Sequence, residues 1–429
     1  MATGTTIVAV TARQVYSDRG HPGVEATVKT ENGALGVAIC TAGVSVGTHE
    51  VEFAYDGGQK WRGKGVQRAV DNINNVIAPV LRGMDAAQQQ LIDHAMLTLG
   101  GPGAKQRLGG NATAAVSAAV LKAGAAALGI PLYQHIGGVN ACTLPVPGVI
   151  ALVGSDRYGG GARSGGKPSY AFMAYDFKTF SDASYACWDI STEWSEVLNK
   201  RFGVPKHSVT HSPAVPKGAV KHDREIWDVM VETINRLGYE GKVGIQVDVA
   251  TETYWEESIG RYVGIFSAEP KTKDDLFRIY ELMVKEYPFV ILEDPLNEDD
   301  YEGTAELTRM VDIQVVGDDL FTTNPERVQK GIDVGAANTV LLKVNQIGSI
   351  SEALDMIQLA YRNGYGVMPC NSRGEGADIA DYCVGINAGT VRESGTGPSG
   401  NRFLQIEAEL GPRAKFLGKK GLKGKRFQQ

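Results

Sequence analysis

Residues 5 to 40 alternate apolar and polar positions (TTIVAVTARQV, GVEATVKT, ALGVAIC) around a turn at ENG. A period of two with a turn signal predicts an antiparallel strand meander. From Gly65 to Gly129 the period changes, with alanines and leucines at three- and four-residue spacing through AVDNINNVIAPVL, QQQLIDHAML and ATAAVSAAVLKAGAAALG. That spacing predicts helices whose apolar stripe packs on the meander. Between Gly244 and Gln346 the pattern changes again. Four short apolar runs lead into charges as GIQVDVATE, FVILEDPL, IQVVGDDL and TVLLKVNQ, and each predicts a strand buried on both faces of a parallel sheet.

The closing charges are Asp248, Glu293, Asp318 and Lys343, the last three at intervals of about 25 residues, the length of a strand, a helix and two loops. This is the period of a (β/α)₈ barrel, in which the carboxyl ends of successive strands converge on one rim. Three carboxylates and an ammonium are then expected in one pocket. Converging carboxylates repel unless a hard cation such as Mg²⁺ takes them as oxygen ligands. A lysine buried beside such a site is expected to have a lowered pKa and to accept a proton from a carbon next to a metal-bound carboxylate. A single acid at a strand end would more simply cap the next helix, but capping does not call for a lysine.

Length supports two domains: an α+β capping domain over residues 1–138 and an α/β barrel over 139–429, with PLYQHIGG and TLPVP marking the crossing. Charged residues are 21%, hydrophobic ones 43% and the net charge −6, a balance that gives no reason to expect binding to nucleic acid or an anionic membrane. No apolar run reads as a spanning helix, and the start MATGTTIVAV lacks the features of a signal peptide, so a cytoplasmic location is expected. The five cysteines are never spaced as CxxC, which predicts free thiols. Gly161 to Lys167 fits the first seven positions of a phosphate-binding P-loop, but Pro168 stands where Ser or Thr belongs. The glycine-rich stretch 154–169 is instead expected to be an active-site lid. The basic ending RAKFLGKKGLKGKRFQQ is expected to be a solvated tail.

VDVATE, EDPLNEDD, VVGDDLFTTNP and LLKVNQIGSISEA resemble enolase, as do YSDRGHPGVE, AGVSVGTHE, GKGVQRAVDNIN, KAGAAALGIPLYQHIGG and LPVP. The resemblance runs through almost the whole chain. It implies an enolase-type barrel behind a capping domain, one or two Mg²⁺ ions held by Asp248, Glu293, Asp318 and, for a second ion, Ser45, and Lys343 as the base.

Other positions depart from the family pattern. Where the family has a lid histidine this chain has Asp156, beside Arg157. Gln-Glu-Phe-Met becomes Tyr170-Ala171-Phe172-Met173, so one catalytic glutamate is replaced by alanine. The second, the general acid, aligns with VTHSPAVP, which puts Ser212 or His211 in its slot. The Ser-His-Arg-Ser loop becomes Asn371-Ser372-Arg373, and Arg392 replaces a substrate-binding lysine. These are the candidate substrate-binding and replacement acid positions.

The half of the site that makes an enolate is thus kept, and the half that expels a leaving group is rebuilt. The expected activity is Mg²⁺-dependent proton abstraction from 2-phosphoglycerate or a close analogue, an enolase-like lyase reaction with a phosphoenolpyruvate-type product. The substrate is expected to be a small phosphorylated or phosphonylated carboxylic acid, and the assembly a homo-oligomer of two or more copies. Two alternatives are a specialised enzyme of phosphonate biosynthesis similar to carboxyphosphonoenolpyruvate synthase, and a non-catalytic enolase-like binding protein.

Overall fold

The computed structural model describes residues 4–17, 20–43, 46–154, 157–208 and 212–428. The alternating segment forms the expected meander, β1 (Ile7–Tyr16), β2 (Pro22–Thr30) and β3 (Leu35–Thr41), antiparallel in the order β1-β2-β3. The helix Gly110–Leu128 lies on its inner face. Its alanines keep the contact close: a Cβ on Gly36 of β3 would lie 2.0 Å from the Ala119 carbonyl oxygen. Only a residue without a side chain fits there. The helix ends at Gly129, whose φ of 67° gives the left-handed C-terminal cap that glycine adopts without strain. By length and apolarity this helix could cross a membrane, contrary to the sequence-based expectation, but 72% of its apolar window is buried within the protein.

The rest of the chain builds the barrel. Its strands are β5 (Val146–Leu152), β6 (Ser169–Ala174), β7 (Val243–Asp248), β10 (Phe289–Glu293), β11 (Gln314–Gly317), β12 (Thr339–Leu342), β13 (Gly366–Pro369) and β14 (Thr390–Ser394). The short strands β4 (Thr143–Leu144), β8 (Trp255–Glu256), β9 (Arg261–Tyr262) and β15 (Lys415–Phe416) lie outside it. Around the barrel the order is β14-β5-β6-β7-β10-β11-β12-β13. A parallel bridge between Cys370 and Arg392 brings the two ends together. Every residue of β7, β10, β11 and β12 is buried, as their unbroken apolar runs require.

One strand departs from a regular (β/α)₈ alternation: β6 runs antiparallel to both β5 and β7. Its first residue, Ser169, therefore pairs with the last of β7, Asp248. The segment just before β6 consequently reaches the rim where the other strands end. The basic tail also differs from expectation. It is docked rather than solvated: β15 pairs with β4, Leu422 and Phe427 are buried, and Gly421 packs against Gly389.

Candidate active site

The four strand-end charges stand on neighbouring strands. Asp248 and Glu293 pair directly in the sheet, and Asp318 and Lys343 follow β11 and β12 immediately. All four are buried. A buried charge without a partner costs several kcal/mol, and each acid here has one. Lys343 Nζ donates to Asp318 Oδ2 at 2.5 Å, and Gln346 Nε2 donates to the other oxygen at 2.8 Å. Arg392 forks between Asp248 Oδ2 at 2.5 Å and Glu293 Oε1 at 2.9 Å, while Gln246 Nε2 takes Glu293 Oε2 at 2.9 Å. Lys167 also places its ammonium on Asp248.

Two expectations change. Burial is the largest single influence on Lys343 and lowers its pKa, but the negative charges beside it, Asp318 foremost, together carry the net shift upward from the ordinary lysine value. The same pair carries the Asp318 carboxyl down to about 2, against the opposing effect of its burial. Nor do the three predicted ligands crowd together. Among the described residues the all-carboxylate group whose oxygens come within 4.8 Å of one another is Asp294, Asp318 and Asp319. Asp294 accepts the backbone N–H groups of Asp318 and Asp319 at 3.0 and 2.9 Å, which draws it beneath that strand end. Arg392 meanwhile sits between Asp248 and Glu293.

The cations paired with these acids reach a cavity of about 300 Å³ whose wall includes Lys167, Lys343, Arg373 and Arg392, together with Ser212 and Ser372. The Ser372 hydroxyl is buried with no hydrogen-bond partner among the described residues. Four cations and an unpartnered hydroxyl around one small space suit a compact, multiply anionic ligand.

The remaining candidate positions divide. Arg373 lines the cavity, but its guanidinium grips Glu50 at 2.5 and 2.7 Å. Asn371 Nδ2 donates to Ser399 Oγ at 2.9 Å, at the start of the helix Gly397–Leu410, and is not in the wall. Arg157 and Tyr170 turn away from the cavity to the buried Asp223: Arg157 Nη2 lies 3.1 Å from both its oxygens and Tyr170 Oη donates at 2.7 Å. Strand alternation explains Tyr170, since Ser169 faces the cavity and its neighbour must face outward. Ser45, Asp156 and His211 lie outside the described residues.

Sequence reasoning missed Lys167, set aside with the rejected P-loop, because its place at the rim depends on the reversal of β6. It also missed Glu50 and Gln246, ordinary polar residues in sequence whose partners, Arg373 and Glu293, lie far along the chain.

A barrel whose strand ends bring buried acids and a lysine to one rim, beside a cation-lined cavity, defines an enzyme site built at strand ends. Comparison with known proteins agrees. The enolase N-terminal domain matches residues 7–136 and the enolase C-terminal TIM barrel domain matches residues 141–425. The chain is 39% identical over 428 residues to an enolase of Methanopyrus kandleri, covering 96% of this chain and 99% of the relative. It is 38% identical over 428 residues to an enolase of Thermococcus gammatolerans (96% and 97%) and 39% identical over 420 residues to one of Methanocaldococcus jannaschii (96% of each). The chain belongs to the enolase family and is a carbon–oxygen lyase.

Proposed function

We propose that this enzyme removes the proton α to the carboxylate of 2-phosphoglycerate or a close analogue, with Lys343 as base and Mg²⁺ held by Asp248, Glu293 and Asp318. The supporting observation is that Lys343 enters a cation-lined cavity from the same rim as three buried acids. The donor set fits the ion: three carboxylates, with no sulfur or nitrogen among them, are the ligands a hard divalent cation takes. When bound, Mg²⁺ would polarise the substrate carboxylate and so acidify the adjacent C–H.

Lys343 must be a free amine to accept that proton. Burial, Arg373 and Arg392 favour the neutral amine, and the Asp318 and Cys370 charges oppose them; a cation held by Asp318 would weaken that opposition. Arg373, Arg392 and the Ser372 hydroxyl would hold the carboxylate and phosphate. Elimination of the C3 hydroxyl would then give a phosphoenolpyruvate-type product. Ala171 has no proton to give, and the Ser212 hydroxyl is too weak an acid to assist.

Conversion of 2-phosphoglycerate is expected to require Mg²⁺, to stop with EDTA and to return when Mg²⁺ is restored, as followed by the absorbance of the enol product. Full activity in excess EDTA would contradict the role given to the three acids.

A further inference from the structure

We infer that Glu393 is the acid that completes this reaction by giving a proton to the departing C3 hydroxyl; the inference rests on the reading of Lys343 above. Adjacent residues of a strand point to opposite faces. Arg392 of β14 faces the barrel interior, where it bridges Asp248 and Glu293, so Glu393 in a regular strand would point away. Instead both residues line the cavity.

The backbone shows how. The pairing of β14 with β5 loses its register between Thr390 and Ser394. Glu393 and Ser394 both take left-handed conformations, with φ of 63° and 66°, a region that side chains with a Cβ disfavour. Beyond them the Gly395 N–H donates to the Gly148 carbonyl at 2.8 Å and pins the turned segment to β5. Irregularities of this kind re-aim side chains and gather at active sites.

Among the described residues Glu393 is the one carboxylic acid in the cavity wall, in a site where Ala171, and Ser212 or His211, stand in the slots of the family's two glutamates. Its ion-pair partner among the described residues is Arg392, with Nε 3.9 Å away, too far for a close pair. Its side chain is 31% exposed, which leaves a path for proton exchange with solvent.

The step balances. Lys343 takes the C2 proton, the freed electron pair forms the C2–C3 double bond, and the C3–O bond breaks. The carboxyl proton of Glu393 passes to the departing oxygen, which leaves as water. Glu393 then recovers a proton from solvent.

The test uses the full chain with Mg²⁺ and 2-phosphoglycerate in deuterated water, reading deuterium at C2 and product separately. Glu393→Gln is expected to lower product formation by roughly 10²–10⁴-fold while exchange at C2 continues near the wild-type rate, which also shows that the variant folds and binds. Glu393→Ala should regain part of its elimination when formate is added, a rescue that a structural role would not give. Unchanged product formation in Glu393→Gln, or exchange and product falling together, overturns the assignment. If the wild type shows neither exchange nor product, the failure lies in the underlying reading.

Discussion

Lys343→Arg is expected to keep the fold and lose the chemistry. An arginine at this position can retain the buried ion pair with Asp318, now 2.5 Å long, so the denaturation midpoint should stay near wild type. A guanidinium does not become neutral at working pH, so it cannot accept the C2 proton. Exchange and product formation should both fall by roughly 10²–10⁴-fold. Lys343→Ala is a poorer test, because it leaves the buried Asp318 without its cation, and breaking such a pair costs about 3–5 kcal/mol. Its use lies in the pH dependence of stability. Asp318 is depressed to about 2 in the folded protein, so its pair stabilises at pH values above the unfolded carboxyl pKa and is lost as pH falls toward 2. Lys343→Ala should weaken that acid limb in denaturation curves taken from pH 2 to 6, whereas Lys343→Arg should keep it. Wild-type turnover by Lys343→Arg would remove the lysine from the mechanism.

Glu50→Ala is expected to destabilise the protein by about 3–5 kcal/mol, the cost of stranding one member of a buried ion pair. Glu50 and Arg373 leave only 2% of each side chain exposed, and two short hydrogen bonds join them. Glu50 also accepts the Gly47 N–H at 3.1 Å, and Arg373 takes the Thr41 N–H on its carbonyl at 3.0 Å. The pair thus ties the segment after the meander to the segment after β13. Because Arg373 is also part of the cavity wall, KM for 2-phosphoglycerate should rise in the same variant. Urea denaturation monitored by tryptophan fluorescence measures the first effect. A midpoint equal to wild type would mean that water satisfies Arg373 as well as Glu50 does.

The parts of this site that could be read from the sequence share one property: local pattern determines them. Asp248, Glu293, Asp318 and Lys343 each close an apolar run of a strand buried on both faces, so strand and rim position follow from the same few residues. Lys167 depends on the direction of β6, which its sequence does not encode, since a buried strand reads alike in either direction. Glu393 depends on a lost register and two left-handed residues that contain no glycine to announce them. The family pattern points Arg157 and Tyr170 toward the substrate, whereas both go to Asp223, a residue 53 positions or more away in the chain. The tail looks solvated by composition, yet Leu422 and Phe427 suffice to bury it. Burial of two apolar side chains outweighs a run of lysines whose ammonium groups can stay in water.

The most direct test of the central claim, that Lys343 removes a proton from C2 of a bound carboxylic acid, is proton NMR of 2-phosphoglycerate incubated with the wild-type enzyme and Mg²⁺ in deuterated water. The account predicts loss of the C2 proton signal from the remaining substrate or its conversion to product, neither of which occurs with Lys343→Arg. A C2 signal that persists undiminished, with no product formed while the enzyme demonstrably binds both Mg²⁺ and 2-phosphoglycerate, would contradict it.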